Sequence, residues 1–165
     1  MFSARFPLPL LLLLSLSLVA LRCNGATDSI HQSITCGQTS AYIAAKCMGV
    51  KLDANDEKEL TSRNLQLHTL YDISLFFKRK NVRCNAYRCN VEQIQKLDCP
   101  IIAHMRFQVN KLEYEHFTTI VRFDKVKGFL IVDLAFDATE PIWMTVSDFE
   151  KMYTGTVLTF DQKGR

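Results

Sequence analysis

The sequence predicts an α+β fold, and three observations predict it. The segment from Cys36 to Gly49 is rich in small residues and is preceded by Ser33 and Thr35, either of which can cap a helix. Leu67 to Lys80 sets Leu67, Leu70, Tyr71, Ile73, Leu75 and Phe77 mostly at helical spacing. From Pro100 onward the pattern changes to short apolar runs with turn residues between them, which read as strands. Helices first and antiparallel strands later is the order of an α+β domain.

The chain opens with Arg5 as a small positive region, an apolar run from Leu8 to Leu21 broken only by Pro9, Ser15 and Ser17, and then the small-residue stretch Cys23-Asn24-Gly25-Ala26. This is the layout of a secretory signal peptide. The apolar run is 14 residues long, shorter than the roughly 20 that span a bilayer. Residues 1–25 are therefore expected to be a leader cleaved after Gly25 or Ala26, with an uncleaved membrane anchor as the alternative. Arg22 argues against a lipoprotein site at Cys23, because such sites want a small residue there. Residues 26–165 are then one domain. Nothing in them reads as a second apolar span, a linker or a repeat.

Within that domain the first helix runs from Cys36 to Gly49, and Ser40, Ala41, Ala44 and Ala45 let another layer approach it closely. The polar stretch from Asp53 to Asn64 holds a short helix over Asp56 to Leu60. The second amphipathic helix, Leu67 to Lys80, ends at Asn81. Its last turn, Lys78-Arg79-Lys80, reads as a solvated helix end where cations suit the macrodipole. Val82 to Tyr87 is strand-like, and Val91 to Leu97 is one or two helical turns. Strands follow at Ile101–Phe107, His116–Phe123 and Gly128–Leu134. A short helix over Thr145 to Met152, with Gly155 as its stop, and a last strand from Thr156 to Phe160 complete the chain.

The formal charge is +3. Without Arg5 and Arg22 the remainder carries 18 basic and 17 acidic residues, a balance that gives no argument for nucleic acid or an anionic membrane surface. Of six cysteines, five remain after the leader: Cys36, Cys47, Cys84, Cys89 and Cys99. Export permits disulfides, and an odd count leaves a thiol over as a candidate for reactivity.

Cys36 is the thiol best placed for chemistry. At a helix start the unsatisfied N–H groups and the dipole favour negative charge, which lowers a thiol's pKa. That is what a cysteine nucleophile needs. The bland alternatives are an ordinary buried cysteine or half of a disulfide. A base is also required. His31 precedes the helix, His68 lies at the start of the second helix, and His104 aligns with Ile102 and Arg106 on a strand. His116 opens the most regular strand, where its side chain can face a helix N-terminus. Asp133 closes the next strand after four apolar residues. If the two strands form a hairpin, Asp133 returns beside His116 and can fix the tautomer and orientation of the imidazole. It could equally be a turn residue.

Taken together, these segments resemble the C39 peptidases, bacteriocin-processing domains of papain-like fold. The matching features are Cys36-Gly37 opening a helix, Leu67 to Lys80, Pro100-Ile101-Ile102-Ala103-His104, His116-Phe117 opening a strand, Val132-Asp133, and the helix-then-glycine segment Val146 to Gly155. The resemblance spans roughly Gln32 to Phe160 and rests on order and spacing more than on any one motif. It implies N-terminal helices packed on an antiparallel sheet. It makes Cys36 the nucleophile, His116 the general base and acid, and Asp133 the orienting residue, and it leaves His104 as a strand residue. It implies a peptide or protein substrate, cut after paired small residues such as Gly-Gly. It calls for no cofactor and no metal.

Three departures stand out. The family's oxyanion donor is usually a glutamine about six residues before the cysteine, where this chain has Ile30; Gln32 is the nearest upstream glutamine and the candidate donor. Leu134 follows Asp133 where the family often has proline. The best-known members are fused to a transporter, and no segment here reads as transporter helices or an ATPase. A stand-alone exported domain is therefore expected, in the periplasm, at the cell surface or in the medium, and membrane-bound only if the leader stays on. Cys84, Cys89, Cys99 and His104 are too loosely spaced for a usual zinc site. Disulfides among Cys47, Cys84, Cys89 and Cys99, including a short Cys84–Cys89 loop, are the preferred reading of those thiols. The rival functions are a papain-like peptide-binding module with a defective oxyanion hole, another papain-like enzyme such as a cell-wall amidase or a transglutaminase relative, and a disulfide-stabilised structural protein.

Overall fold

In a computed structural model, residues 35–62, 67–133 and 140–161 are described. Helix α1 is Cys36–Met48. Thr35 caps it, and the cap is reciprocal: Thr35 Oγ1 accepts from the Gln38 N–H, and Gln38 Oε1 accepts from the Thr35 N–H. Gly49 ends the helix in the left-handed conformation, φ 69°. Helix α2, Ala54–Thr61, starts two residues earlier than expected because Asp53 is its cap and Asp56 its reciprocal partner. Helix α3 is Leu70–Arg79 and starts later than expected, since Thr69 and Asp72 form its capping box and leave Leu67 and His68 ahead of it. Strand β1 (Cys84–Arg88) and the short helix α4 (Val91–Ile94) follow.

Strands β2 (Ile101–Val109) and β3 (Leu112–Asp124) form a long hairpin. Its two turn residues, Asn110 and Lys111, have φ of 51° and 68°, the conformation that a two-residue hairpin turn requires. His116 therefore lies within β3 and does not open it. Strands β4 (Gly128–Val132) and β5 (Ile142–Met144), helix α5 (Val146–Met152) and strand β6 (Tyr153–Phe160) complete the described fold. Strand β5 was not anticipated. Gly155 is not a helix stop: it sits inside β6 with φ 92°. Among the described residues the sheet has six strands in the order β1-β6-β2-β3-β4-β5, every pair antiparallel.

Each face of the sheet has its own core. On one face α1 and α3 bring Ala41, Ala44, Ile73, Phe76 and Phe77 against Ile102, Phe117 and Leu158. On the other, Phe149 of α5 meets Ile101, Ile120, Phe129, Ile131 and Val157. Burying a side chain the size of Phe76 or Phe77 stabilises the fold by about 2–3 kcal/mol, and both are fully buried. The small residues of α1 do what their size suggests. Ser40 Oγ donates to the Phe117 carbonyl at 3.0 Å, and Thr119 Oγ1 donates to the Ser40 carbonyl at 3.2 Å.

The Lys78-Arg79-Lys80 segment is more than a solvated end. Arg79 pairs with Glu59, and Lys80 pairs with Asp56, which is only 4% exposed. The proposed Cys84–Cys89 loop is also corrected. Both are free thiols. Five residues apart along an extended strand they are about 16 Å from one another, far beyond the roughly 7 Å that a disulfide can bridge. No helix among the described residues is long and apolar enough to cross a membrane.

Candidate active site

Cys36 is the first residue of α1, in the turn whose N–H groups have no intrahelical acceptor. Gln38 anchors that turn. It is fully buried, and its Nε2 donates to the Leu60 and Ser62 carbonyls at 3.2 and 2.9 Å, tying the start of α1 to the end of α2. Gly37 lets the chain ahead of α3 cross there: a Cβ on it would lie 1.9 Å from the Leu67 carbonyl oxygen.

Strand β3 carries His116. Its pairing with β4 begins at Thr119, opposite Val132, and α1 meets β3 just before that point, where Ser40 Oγ donates to the Phe117 carbonyl. Asp133, the first residue beyond β4, reaches back to His116. His116 Nε2 and Asp133 Oδ2 are 2.6 Å apart, and the two residues are 6% and 3% exposed. With Nε2 engaged there, Nδ1 is the ring nitrogen left to face Cys36. The Cys36 sulfur takes hydrogen bonds from the His116 ring and from the Phe117 backbone N–H. Phe107 meets the His116 ring edge-to-face, with centroids 5.8 Å apart.

Burial works against charge at both centres, and hydrogen bonding overcomes it. Burial alone would raise the Cys36 pKa. The His116 and Phe117 hydrogen bonds and the nearby imidazolium bring it below the usual thiol value, although the Asp133 charge opposes them. Burial alone would depress His116, but its bonds to Asp133 and Cys36 lift it to about 9. Both directions favour a thiolate–imidazolium pair at neutral pH.

Cys36, His116 and Asp133, expected from the sequence, are thus brought together. Gln32, the candidate oxyanion donor, lies outside the described residues, as do Ile30, His31 and the expected leader. Gln38 cannot substitute for Gln32, since its amide is committed to main-chain carbonyls. His104 stands apart from the triad. Its ring tilts against Phe117 at 5.1 Å, and its Nδ1 bonds Thr154 Oγ1 at 2.9 Å. His68 is exposed ahead of α3. Cys84 bonds the Ser74 carbonyl, and Cys89 lies beside the Tyr153 hydroxyl. No cluster of three or more potential metal ligands occurs among the described residues. The Phe117 N–H escaped sequence reasoning, because a backbone donor carries no residue signature; the signal that could have found it is the position directly after the base.

A model of the peptidase C39 family matches residues 30–165. No curated protein sequence matches the chain. Among solved structures, a double glycine motif protease from an AMS/PCAT transporter, in complex with the leader peptide, matches with a TM-score of 0.58 and 19% identity, covering 76% of this chain and 83% of that one. The peptidase domain of Streptococcus ComA, a bifunctional ABC transporter of a quorum-sensing pathway, matches with a TM-score of 0.59 and 19% identity, covering 76% and 89%. The N-terminal peptidase C39-like domain of the toxin secretion ATP-binding protein from Vibrio parahaemolyticus gives 0.56 and 15% identity, covering 75% and 94%. At these identities the likeness is one of fold: helices on a six-stranded antiparallel sheet, as in the papain-like C39 peptidase domains.

Proposed function

This chain belongs to the peptidase C39 family, and on that premise we propose that it is a cysteine peptidase working through Cys36, His116 and Asp133. The observation that carries the reading is the double engagement of one imidazole, bonded to Asp133 at 2.6 Å through Nε2 and to the Cys36 sulfur. The Cys36 thiolate attacks the scissile carbonyl carbon, forming a C–S bond and an oxyanion. The Cys36 N–H, at the start of α1, and Gln32 are the candidate oxyanion donors. His116 gives its proton to the leaving nitrogen as the C–N bond breaks. Water then attacks the thioester carbon, His116 takes the water's proton, and the C–S bond breaks to release the acid and restore the thiolate. Asp133 holds the ring in the tautomer and orientation that both proton transfers need.

The proposed substrate is a peptide or protein cut after paired small residues, Gly-Gly first among them, in line with the double glycine motif named for one structural relative. The test is a panel of peptides identical but for Gly-Gly, Ala-Ala, Ser-Gly or Leu-Leu before the scissile bond, incubated with wild-type protein and with Cys36→Ala, the products being identified by mass. Cleavage after the small pairs by wild type alone supports the reading. Binding without cleavage by wild type would replace it with the peptide-binding module, the reading that Ile30 at the usual glutamine position favours. Export behind a cleaved leader is a separate proposal, checked by N-terminal sequencing of the exported protein; a first residue of Ala26 or Thr27 is expected.

A further inference from the structure

The β2–β3 hairpin runs past the triad and out of the core. Strand β3 is buried from His116 to Ile120 and exposed from Leu112 to Glu115. Side chains alternate along both strands, so the paired residues of the hairpin sort by face. One face is charged: Arg106 pairs with Glu113 at 3.2 Å and with Glu115 at 3.1 Å. The other carries Met105 and His116, then Phe107 and Tyr114, then Leu112. Phe107 and Tyr114 stack with ring centroids 5.9 Å apart, and Phe107 also meets the edge of the His116 ring. Tyr114 is 44% exposed and Leu112 61%. Single exposed apolar side chains are ordinary, but a contiguous strip beginning at the histidine of the site marks a place where something binds.

The chemistry of acyl transfer indicates what passes over that strip. His116 gives its proton to the leaving nitrogen, so the peptide that follows the scissile bond starts within about 3 Å of the His116 ring. The residues before the bond stay with the acyl group on Cys36. Along β3 in one direction from His116, Thr118 and Ile120 are buried. In the other direction the surface opens over Phe107 and Tyr114. Tyr114 lies two residues from His116, about 7 Å along the strand, which an extended substrate spans in two residues. A Gly-Gly pair before the bond has no side chain to grip, so binding energy has to come from other parts of the peptide.

We propose that Phe107 and Tyr114 form a subsite for the leaving side of the substrate, taking an apolar side chain one or two residues after the scissile bond. The proposal rests on the peptidase reading and deepens it: the small pair before the bond admits the chain to Cys36, and the apolar residue after it decides which small pairs are cut fastest.

The experiment uses Gly-Gly peptides that differ only at the two positions after the scissile bond: Leu-Ser, Ser-Leu, Leu-Leu and Ser-Ser. kcat/KM is measured for wild type, Tyr114→Ser, Tyr114→Phe and Val126→Ser, with products identified by mass. Wild type is expected to cut the best leucine peptide roughly 5–30-fold faster than Ser-Ser, the range for burying much of one apolar side chain. Tyr114→Ser should bring that ratio close to one with a native circular dichroism spectrum, since the side chain it removes is exposed. Tyr114→Phe should keep the ratio, because the ring and not the hydroxyl makes the subsite. Val126→Ser, which removes an exposed apolar side chain from the turn between β3 and β4, should keep it too. A wild-type ratio near one, or a ratio that survives Tyr114→Ser, overturns the subsite and leaves the peptidase reading standing. A wild type that cleaves none of the peptides overturns the peptidase reading, and the subsite with it.

Discussion

His116 shows how one side chain can be buried and still carry charge. Bonded to Asp133 on one nitrogen and to Cys36 through the other, it is held as imidazolium up to about pH 9. The Cys36 thiolate is accordingly present at pH values where a free thiol is protonated. Iodoacetamide should label Cys36 rapidly near pH 6–7, and His116→Ala should move the rise of that profile up toward the usual thiol range. A mutant profile unchanged from wild type would remove His116 from the pair. Asp133→Asn keeps the shape of the side chain but removes the charge that supports the imidazolium. It should cost on the order of 10²–10⁴ in kcat with little change in KM, the range for losing an orienting carboxylate, while circular dichroism stays native. The three residues were legible because each has a chemical reason for its position: a thiol at a helix start, a histidine on a regular strand, an aspartate closing an apolar strand. The Phe117 N–H was not legible, because which main-chain group meets Cys36 depends on where β4 stops pairing with β3.

The helices explain why Cys36 is held so firmly. Gln38 completes the capping box of Thr35 and ties α1 to α2, and at its neighbour Gly37 any Cβ would collide with the Leu67 carbonyl. Gly37→Ala should therefore destabilise the fold by about 2–4 kcal/mol, in the range of other steric insults to a core, and slow Cys36 alkylation as the first turn shifts. A native midpoint in that variant would show that the crossing is looser than described. Helices α2 and α3 are joined by Lys80 and Asp56. Burial alone would raise the Asp56 pKa, but Lys80 and the Asp53 N–H hold it below the usual carboxylate value. Its contribution is therefore present above the unfolded carboxylate pKa and is lost as pH falls through the folded one. Asp56→Asn should lower stability by about 2 kcal/mol at neutral pH and flatten the acid limb of the stability curve. This pair hid in a basic run that read as a solvated helix end, because its acidic partner lies two dozen residues upstream. Strand β5 hid for a different reason: three residues after Pro141 are too few to show a period.

At the scale of the whole molecule, the α+β order and the helix-on-sheet layering followed from where the hydrophobic period changes, near Pro100. Which faces the two cores occupy came only with the strand register. That layering also couples the site to folding, because the thiolate–imidazolium pair exists only where α1 meets β3. His116, with its pKa raised from 6.5 to about 9, contributes stability that is fully present below pH 6.5 and is lost as pH rises through about 9. Cys36, lowered from 9.0, contributes stability that is present above pH 9.0 and is lost as pH falls through its folded value. Above pH 6.5, wherever the folded Cys36 is already ionised and His116 still carries its proton, the folded pair holds one proton on His116, and the unfolded chain holds one on Cys36. With equal proton counts in the two states, linkage gives no slope from this pair. Removing the thiol unbalances the count: in Cys36→Ala the folded state still binds a proton on the Asp133-supported imidazole, whereas the unfolded state binds none. Chemical denaturation of Cys36→Ala should therefore show stability falling with pH just above 6.5, at up to about 1.4 kcal/mol per pH unit for one proton. The slope should end at the folded His116 pKa, below the wild-type value because the Cys36 bond is gone. Where its Cys36 is ionised, wild type should lack this slope, and Cys36→Ala/His116→Gln should lose it again. Parallel pH dependence in wild type and Cys36→Ala would mean that the two side chains do not share the proton, and the ion pair at the centre of the proposed mechanism would have to be abandoned.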